Sequence, residues 1–315
     1  MSGIHHVTAI SGKAAKNLEF YTRTLGLRLV KKTVNFDDPE TYHLYYGDER
    51  GHPGTILTFF PWEQAAAGRN GVGQAEQTIF RIPAVSIGYW THRLIEKGVA
   101  HEALEKRFGE SVLSFTDPHG LKLALVGVAA VASEPAWSNG EIPAEHAIRS
   151  FHAVTLMLDR AGRTGTILTD VLGFKETGRE GPFVRYETGR QAPRSLVFIR
   201  EVGGFLPARM GQGSVHHVAF RAADDAEQAK MADKLRGTHG VAPTSQIDRK
   251  YFRSVYFREP GGILFEIATD QPGFTVDEPL ASLGRDLKLP SFLEPRRREI
   301  ESALPHLEQI EKTAG

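Results

Sequence analysis

Phe257-Arg-Glu-Pro-Gly-Gly262, followed by the apolar strand Ile263-Leu-Phe-Glu-Ile-Ala268, repeats an earlier segment, Phe115-Thr-Asp-Pro-His-Gly120, followed by Leu121-Lys-Leu-Ala-Leu-Val126. In both, a proline and a glycine mark the turn between two strands. A turn repeated at one register implies a repeated unit, and working outward gives that unit as strand, helix and three strands. The first copy has strands at 4–10, 27–36, 41–46 and 55–60 and a helix at 16–25. The second starts near Gln77, has a helix at 86–97, and places later strands at 111–116 and 121–126. The third opens at Phe151. The fourth opens at Val215, runs through a charged helix at 223–236, and closes with strands at 254–257 and 263–268. Leu25-Gly26-Leu27 and Leu172-Gly173-Phe174 end the helices of the first and third copies, with glycine suited to a helix C-terminus.

The fold class expected is α+β: four βαβββ modules paired into two cup-shaped mixed-sheet barrels. Residues 1–130 read as an N-terminal domain of modules one and two, 131–147 as a linker, 148–270 as a C-terminal domain of modules three and four, and 271–315 as a surface-packing tail. Gly203-Gly204 and Gly211-Gln212-Gly213 read as loop glycines, since no strand, GxGxxG and helix follow in order.

The openings His5-His6-Val7-Thr8, Phe151-His152-Ala153-Val154-Thr155 and Val215-His216-His217-Val218 align with one another. Side chains alternate along a strand, so one position per strand points into the cup. In the opening strands those positions are His6, Gln77, Ala153 and His217; in the closing strands they are Thr58, Ala124, Ile199 and Glu266. Modules one and four thus supply two imidazoles and a carboxylate, and modules two and three supply nothing that holds a divalent ion. A lone histidine at a strand start is ordinarily a hydrogen-bonded structural residue, and a lone Glu266 in an apolar strand would need an arginine partner. Falling together at equivalent positions, His6, His217 and Glu266 predict one mononuclear metal site. They also predict that modules one and four share a cup, leaving modules two and three to form the other. Two His and one carboxylate leave up to three positions open on an octahedral ion and suit Fe(II), Mn(II), Ni(II), Co(II) and Zn(II) alike.

The 315 residues include 38 Lys plus Arg, 38 Asp plus Glu and no cysteine. Disulfides, thiolate metal sites and cysteine nucleophiles are excluded, and no global basic field exists to hold nucleic acid or a membrane surface. No secretory pattern is present at the start and no apolar run approaches about 20 residues, so a cytoplasmic protein is expected. No interface is legible, and a homo-oligomer remains open. Arg296-Arg297-Arg298 reads as a solvated helix face or an oligomer contact.

Taken together the motifs resemble the vicinal-oxygen-chelate (glyoxalase, bleomycin resistance, dioxygenase) superfamily, and within it the ring-cleaving dioxygenases that open hydroquinones. The likeness spans nearly the whole chain. It rests on His5-His6-Val7-Thr8, Thr33-Val34-Asn35-Phe36-Asp37, Tyr42-His43-Leu44-Tyr45-Tyr46-Gly47-Asp48 and Val215-His216-His217. The run from Asp248 to Gly262, Leu264-Phe265-Glu266-Ile267-Ala268-Thr269-Asp270, Leu289-Pro290 and Leu293-Glu294-Pro295-Arg296 complete it. The resemblance implies Fe(II), with Mn(II) or another divalent ion as alternatives, held by His6, His217 and Glu266. Around a small aromatic substrate and O2 it implies an outer shell of His5, Thr8, His216, Arg249 and Tyr256. Neighbours in a regular strand face opposite sides, so the place of His5 and His216 near the pocket rests on the resemblance and calls for a local distortion.

The implied activity is extradiol-type cleavage of a para-diol ring, with chloro or methyl substituents allowed, giving a hydroxymuconic-type semialdehyde or, from a chlorinated ring, an acyl chloride. Arg249 and Tyr256 are suited donors to a phenolate and a developing peroxide. Catechol cleavage and glyoxalase-type isomerisation are alternatives on the same scaffold. Thr58, standing where a fourth protein ligand could come, favours the oxygenase. A non-catalytic binder of aromatic or drug-like molecules is the alternative of another class, and a buried carboxylate with two imidazoles argues against it.

Overall fold

The turn that sets the repeat is held by its own acidic residue. Asp117 Oδ1 accepts hydrogen bonds from the amides of His119 and Leu121, each at 2.8 Å. Glu259 accepts from Gly261 and Ile263, also at 2.8 Å. Gly120 and Gly262 close the two turns at φ +95° and +96°, a conformation that favours glycine. The acidic residue, proline and glycine therefore recur because each does one job in the turn.

The computed structural model describes residues 3–189 and 194–307. Module one consists of β1 (Ile4–Ser11), α1 (Ala14–Glu19), β2 (Arg28–Asn35), β3 (Asp38–Gly47) and β4 (Ile56–Pro61). Module two is β5 (Gln74–Pro83), α2 (Ile87–Glu96), β6 (Glu105–Arg107), β7 (Glu110–Thr116) and β8 (Lys122–Val128). Module three contains β9 (Ser150–Leu158), α3 (Gly162–Asp170), β10 (Lys175–Glu180), β11 (Phe183–Glu187) and β12 (Leu196–Glu201). Module four contains β13 (Ser214–Ala222), α4 (Asp225–His239), β14 (Ile247–Asp248), β15 (Arg253–Arg258) and β16 (Leu264–Thr269), and the tail adds α5 (Arg297–Ala303). The helix expected over 16–25 is α1 continued as a π-turn through Phe20–Thr24.

The strands form two eight-stranded sheets, β14-β15-β16-β13-β1-β4-β3-β2 and β10-β11-β12-β9-β5-β8-β7-β6. Modules one and four share one sheet and modules two and three the other, as the placement of the two histidines requires. In each sheet the opening strands of two modules meet antiparallel at the centre, while each module's first and last strands run parallel. A central strand sandwiched between helix and cup is buried on both faces, and β1, β5 and β9 are buried along their whole length. Leu18, Trp90, Leu94, Ile167, Leu168 and Leu235 carry the four helices onto one continuous core.

The register confirms three of the four closing-strand positions and corrects one. Thr58 pairs with Thr8, Ala124 with Ile79 and Glu266 with Ala219, each two residues beyond His6, Gln77 and His217. In module three Thr155 pairs with Phe198, so the equivalent residue is Phe198 and not Ile199. Leu196-Val-Phe-Ile199 is apolar at every position and shows no alternation from which the register could be read. The ring of Phe198 stacks on that of Phe108 at 5.5 Å, filling the second cup.

The tail does more than lie on the surface. Leu289, Leu293 and Ile300 are buried in the main core. Lys31, fully buried on β2, donates to Asp277 at 2.6 Å and to Glu278. Gly213, at φ +78°, leaves no room for a Cβ, which would sit 2.3 Å from the His119 carbonyl oxygen, so this glycine serves loop packing. Arg296 and Arg297 pair with Glu299, Glu294 and Glu301 on the exposed face of the tail helix. Among the described residues no helix is long and apolar enough to cross a membrane.

Candidate metal centre

His6 on β1, His217 on β13 and Glu266 on β16 meet at the floor of the first cup. His6 Nε2 lies 3.2 Å from His217 Nε2, and Glu266 Oε2 lies 3.2 and 3.0 Å from those two nitrogens. All three side chains are buried, and Glu266 is completely so. Oε2 makes no well-directed hydrogen bond, while Oε1 accepts one from Ser254 Oγ at 2.5 Å. A buried carboxylate oxygen without a donor is costly unless a cation completes it. With metal–donor bonds of about 2.1 Å, adjacent octahedral donors lie about 3.0 Å apart and tetrahedral ones about 3.4 Å. The three spacings, 3.0 to 3.2 Å, fall within the range these two geometries span, so the residues fit a single divalent ion with further positions left for other ligands. Burial alone would raise the Glu266 carboxyl, but His6 and His217 together hold it well below the usual range. The ligand set is thus anionic and ready for a cation.

Both Nδ1 atoms are also occupied, and this fixes the tautomers. His6 Nδ1 is 2.9 Å from His5 Nδ1, and His217 Nδ1 is 2.8 Å from His216 Nδ1. If each inner imidazole offers the Nε2 lone pair to a metal, its Nδ1–H must donate, so the outer imidazole accepts and keeps its proton on Nε2. His5 then donates onward to the Thr269 backbone. Burial, with the neighbouring imidazole, holds His5 well below its ordinary value and brings His216 down to about 3, so both are neutral acceptors.

Neighbouring residues can face the same side here because the strands are irregular. The β1–β13 register slips between Ile4 and His6 and again between Thr8 and Ala9, the latter opposite His217 and Val215. Each slip leaves one residue unpaired, His5 in one strand and His216 in the other, and such a bulge re-aims a side chain. β5 and β9 slip at the equivalent places, around Glu76 and His152, so the bulges belong to the repeat and not to the site alone.

Above the three ligands a cavity of 340 Å³ opens, with His216, Arg249 and Tyr256 on its wall and His43, Tyr45, Phe60, Trp62 and Phe252 beside them. Of the five outer residues expected from sequence, these three reach the cavity. His5 lies behind His6, against Phe252 at 5.2 Å. Thr8 is fully buried, its hydroxyl 2.8 Å from that of Thr58. Arg249 pairs with Asp37 at 3.2 Å and lies 5.6 Å from the Tyr256 ring centre. Burial and the Glu266 charge push the Tyr256 hydroxyl above its usual range, so it is a protonated donor.

Sequence reasoning assigned no role to His43, Tyr45, Ser254 or the aromatic wall. The repeat register carried to the third strand would have found them, because Tyr45 opposes Thr58 as Tyr256 opposes Glu266, and His43 and Ser254 stand two residues before those tyrosines.

The sequence profile of the Glyoxalase/Bleomycin resistance protein/Dioxygenase superfamily matches residues 3–125 and 150–267. A Bacillus subtilis (strain 168) protein named as ring-cleaving dioxygenase MhqO is 44% identical over 303 residues, covering 96% of this chain and 95% of its own. The chlorohydroquinone/hydroquinone 1,2-dioxygenase of Sphingobium indicum is 34% identical over 305 residues, covering 95% of both chains. A crystal structure of a Bacillus subtilis subsp. subtilis str. 168 protein with a provisional dioxygenase name superposes with TM-score 0.93 at 43% identity over 98% of each chain. Glyoxalase I from Zea mays, at 13% identity and TM-score 0.65 over 86% of this chain and 93% of its own, shares the fold.

Proposed function

We propose, from the premise that this chain belongs to the glyoxalase/bleomycin resistance/dioxygenase superfamily and to its ring-cleaving dioxygenases, that it opens hydroquinone rings with O2 at an Fe(II) ion held by His6, His217 and Glu266. The observation that carries this reading is the orphaned Glu266 Oε2 facing two Nε2 atoms beneath an open, aromatic-walled cavity. Its similarity to a relative named for hydroquinone 1,2-dioxygenase supports the substrate class.

Fe(II) held by His6, His217 and Glu266 would supply the redox chemistry that lets an ionised substrate hydroxyl and O2 react. Everything else is done by the chain. His5 and His216 orient the two ligating rings through their Nδ1 contacts, and the tautomer this enforces turns the remaining Nε2–H of His216 into a donor on the cavity side. Arg249 adds a fixed positive charge and Tyr256 a hydroxyl, both suited to stabilise negative charge that develops on oxygen. Phe60, Trp62 and Phe252 give the cavity an apolar aromatic wall suited to a flat ring. Cleavage between a hydroxylated carbon and its neighbour would insert both oxygen atoms, and the cavity above the three ligands has room for the reactants.

The orienting role gives a first expected outcome. His5→Ala and His216→Ala each lower divalent metal affinity by about 10- to 100-fold, because His6 or His217 loses the acceptor that fixes its tautomer. Equilibrium dialysis against a competing chelator reads this directly, and affinity equal to that of the wild type in both variants would refute it. The activity itself is tested by oxygen uptake after anaerobic reconstitution with Fe(II), using methyl- and chlorohydroquinone, catechol and a glutathione hemithioacetal. Stoichiometric uptake with the hydroquinones and a new semialdehyde absorbance supports the proposal. Silence there with turnover of catechol or of the hemithioacetal moves the chain to that chemistry.

A further inference from the structure

Tyr45 and Tyr256 occupy equivalent positions of modules one and four, both face the cavity, and their hydroxyls are held in opposite ways. The Tyr256 hydroxyl stands beside Arg249, which donates to it, and beside Ser254, whose own proton is committed to Glu266, and so lies in the charged half of the cup. Tyr45 stands in the half where Thr58 replaces a carboxylate. Its hydroxyl is 2.8 Å from His43 Nδ1; His43 Nε2 is 2.8 Å from Thr58 Oγ1; and Thr58 Oγ1 is 2.8 Å from Thr8 Oγ1. The chain Tyr45–His43–Thr58–Thr8 carries no formal charge, since burial and the facing imidazoles of His217 and His6 hold His43 well below its ordinary value.

An aromatic para-diol bound through one ionised oxygen has a second hydroxyl that is neutral and points away from the metal. The two halves of the cup sort those oxygens by charge. The ionised one suits the metal, Arg249 and Tyr256, whereas the neutral one needs a partner that neither ionises it nor repels it. Resting on the reading of the site as a hydroquinone dioxygenase, we propose that Tyr45, with its hydroxyl held in place by His43, binds the second hydroxyl of the substrate and thereby selects diols over simple phenols. His43 acts through Tyr45 and is a positioning residue. A tyrosine whose hydroxyl is already committed to a neutral imidazole pays little ordering entropy on binding, which makes the contact selective.

The test compares a diol with its mono-hydroxy analogue in the same variant. Anaerobic titration of the Fe(II)-loaded protein, followed by tryptophan fluorescence with Trp62 on the cavity wall, measures binding of hydroquinone and of 4-methylphenol, in which a methyl group replaces the second hydroxyl, without turnover. In Tyr45→Phe the diol is expected to bind roughly 10- to 100-fold more weakly, and 4-methylphenol to keep its affinity within about twofold. His43→Phe is expected to reproduce part of that loss, and His43→Gln, which can still hydrogen-bond Tyr45, to recover most of it. Equal weakening of both ligands, or of neither, overturns the proposal. If the wild type consumes O2 with hydroquinones and Tyr45→Phe fails to discriminate, only this assignment falls; if the wild type neither prefers diols nor turns them over, the functional reading falls with it.

Discussion

Glu266→Gln removes the metal: affinity for Fe(II) is expected to fall by well over about 100-fold and oxygen uptake to drop below detection. The substitution keeps the shape of the side chain and an oxygen for Ser254 to reach, so the fold is not at risk. What disappears is the negative charge between His6 and His217, and with it the anionic donor that makes a facial set of three bind a dication. Metal content after dialysis, read by inductively coupled plasma mass spectrometry beside oxygen uptake, separates loss of ion from loss of chemistry. Ser254→Ala gives the comparison, since it loosens Glu266 without removing it and should keep most of the metal. Full metal content with undiminished turnover in Glu266→Gln would end the assignment of this residue as a ligand.

Lys31→Met is expected to cost about 3–5 kcal/mol, a large share of the stability of any domain. The ammonium is fully buried and serves two carboxylates. Asp277 keeps Lys250 at 2.7 Å and the Tyr251 hydroxyl at 3.1 Å after the substitution. Glu278, itself buried, loses its salt bridge and keeps only the more distant charges of Arg28 and Lys32. Combining Lys31→Met with Glu278→Met removes the stranded charge and should recover most of the loss, as replacing a whole buried pair by apolar groups commonly does. Urea unfolding of the single and double variants checks both statements; a single variant within about 1 kcal/mol of the wild type would show that the pair contributes little. Because Lys250, Tyr251 and Phe252 follow Arg249 directly and Phe252 packs on His6 at 4.9 Å, the same cluster anchors one side of the site.

Much of this was legible in the residues, for identifiable reasons. The turn Glu259-Pro-Gly-Gly262 and its earlier copy fixed the repeat because acidic side chain, proline and glycine each have a specific backbone task. The pairing of modules one and four followed from chemistry, since His6 and His217 could share an ion in no other arrangement. The register of β12 was not legible, because an unbroken apolar run has no period and only its pairing with β9 fixes Phe198 as the inward residue. The bulges at His5 and His216 were hidden for a related reason: a bulge is a property of two strands together, and neither strand records it alone. His43 and Tyr45 were present in a recognised motif, but their standing became clear only when the register of β1 and β4 was extended to β3. The tail's leucines and the partner of Lys31 lay too far along the chain for local pattern to connect them.

The meeting of β1 with β13 also sets an order of events during synthesis. The two imidazole donors are 211 residues apart in the chain. At ribosomal rates of 5–20 residues per second, His6 emerges about 10–40 s before His217. From the time β4 has emerged until β13 follows, β1 has β4 along one edge and nothing along the other, and an unpaired edge flanked by apolar side chains is where wrong partners add. The nascent chain cannot hold its ion until module four has emerged and β13 has docked, so metal capture is a late event that marks a finished sheet. A chain stopped before β13 would lack the ion and keep an open edge, a combination that quality control could recognise and that metal supplementation could not rescue.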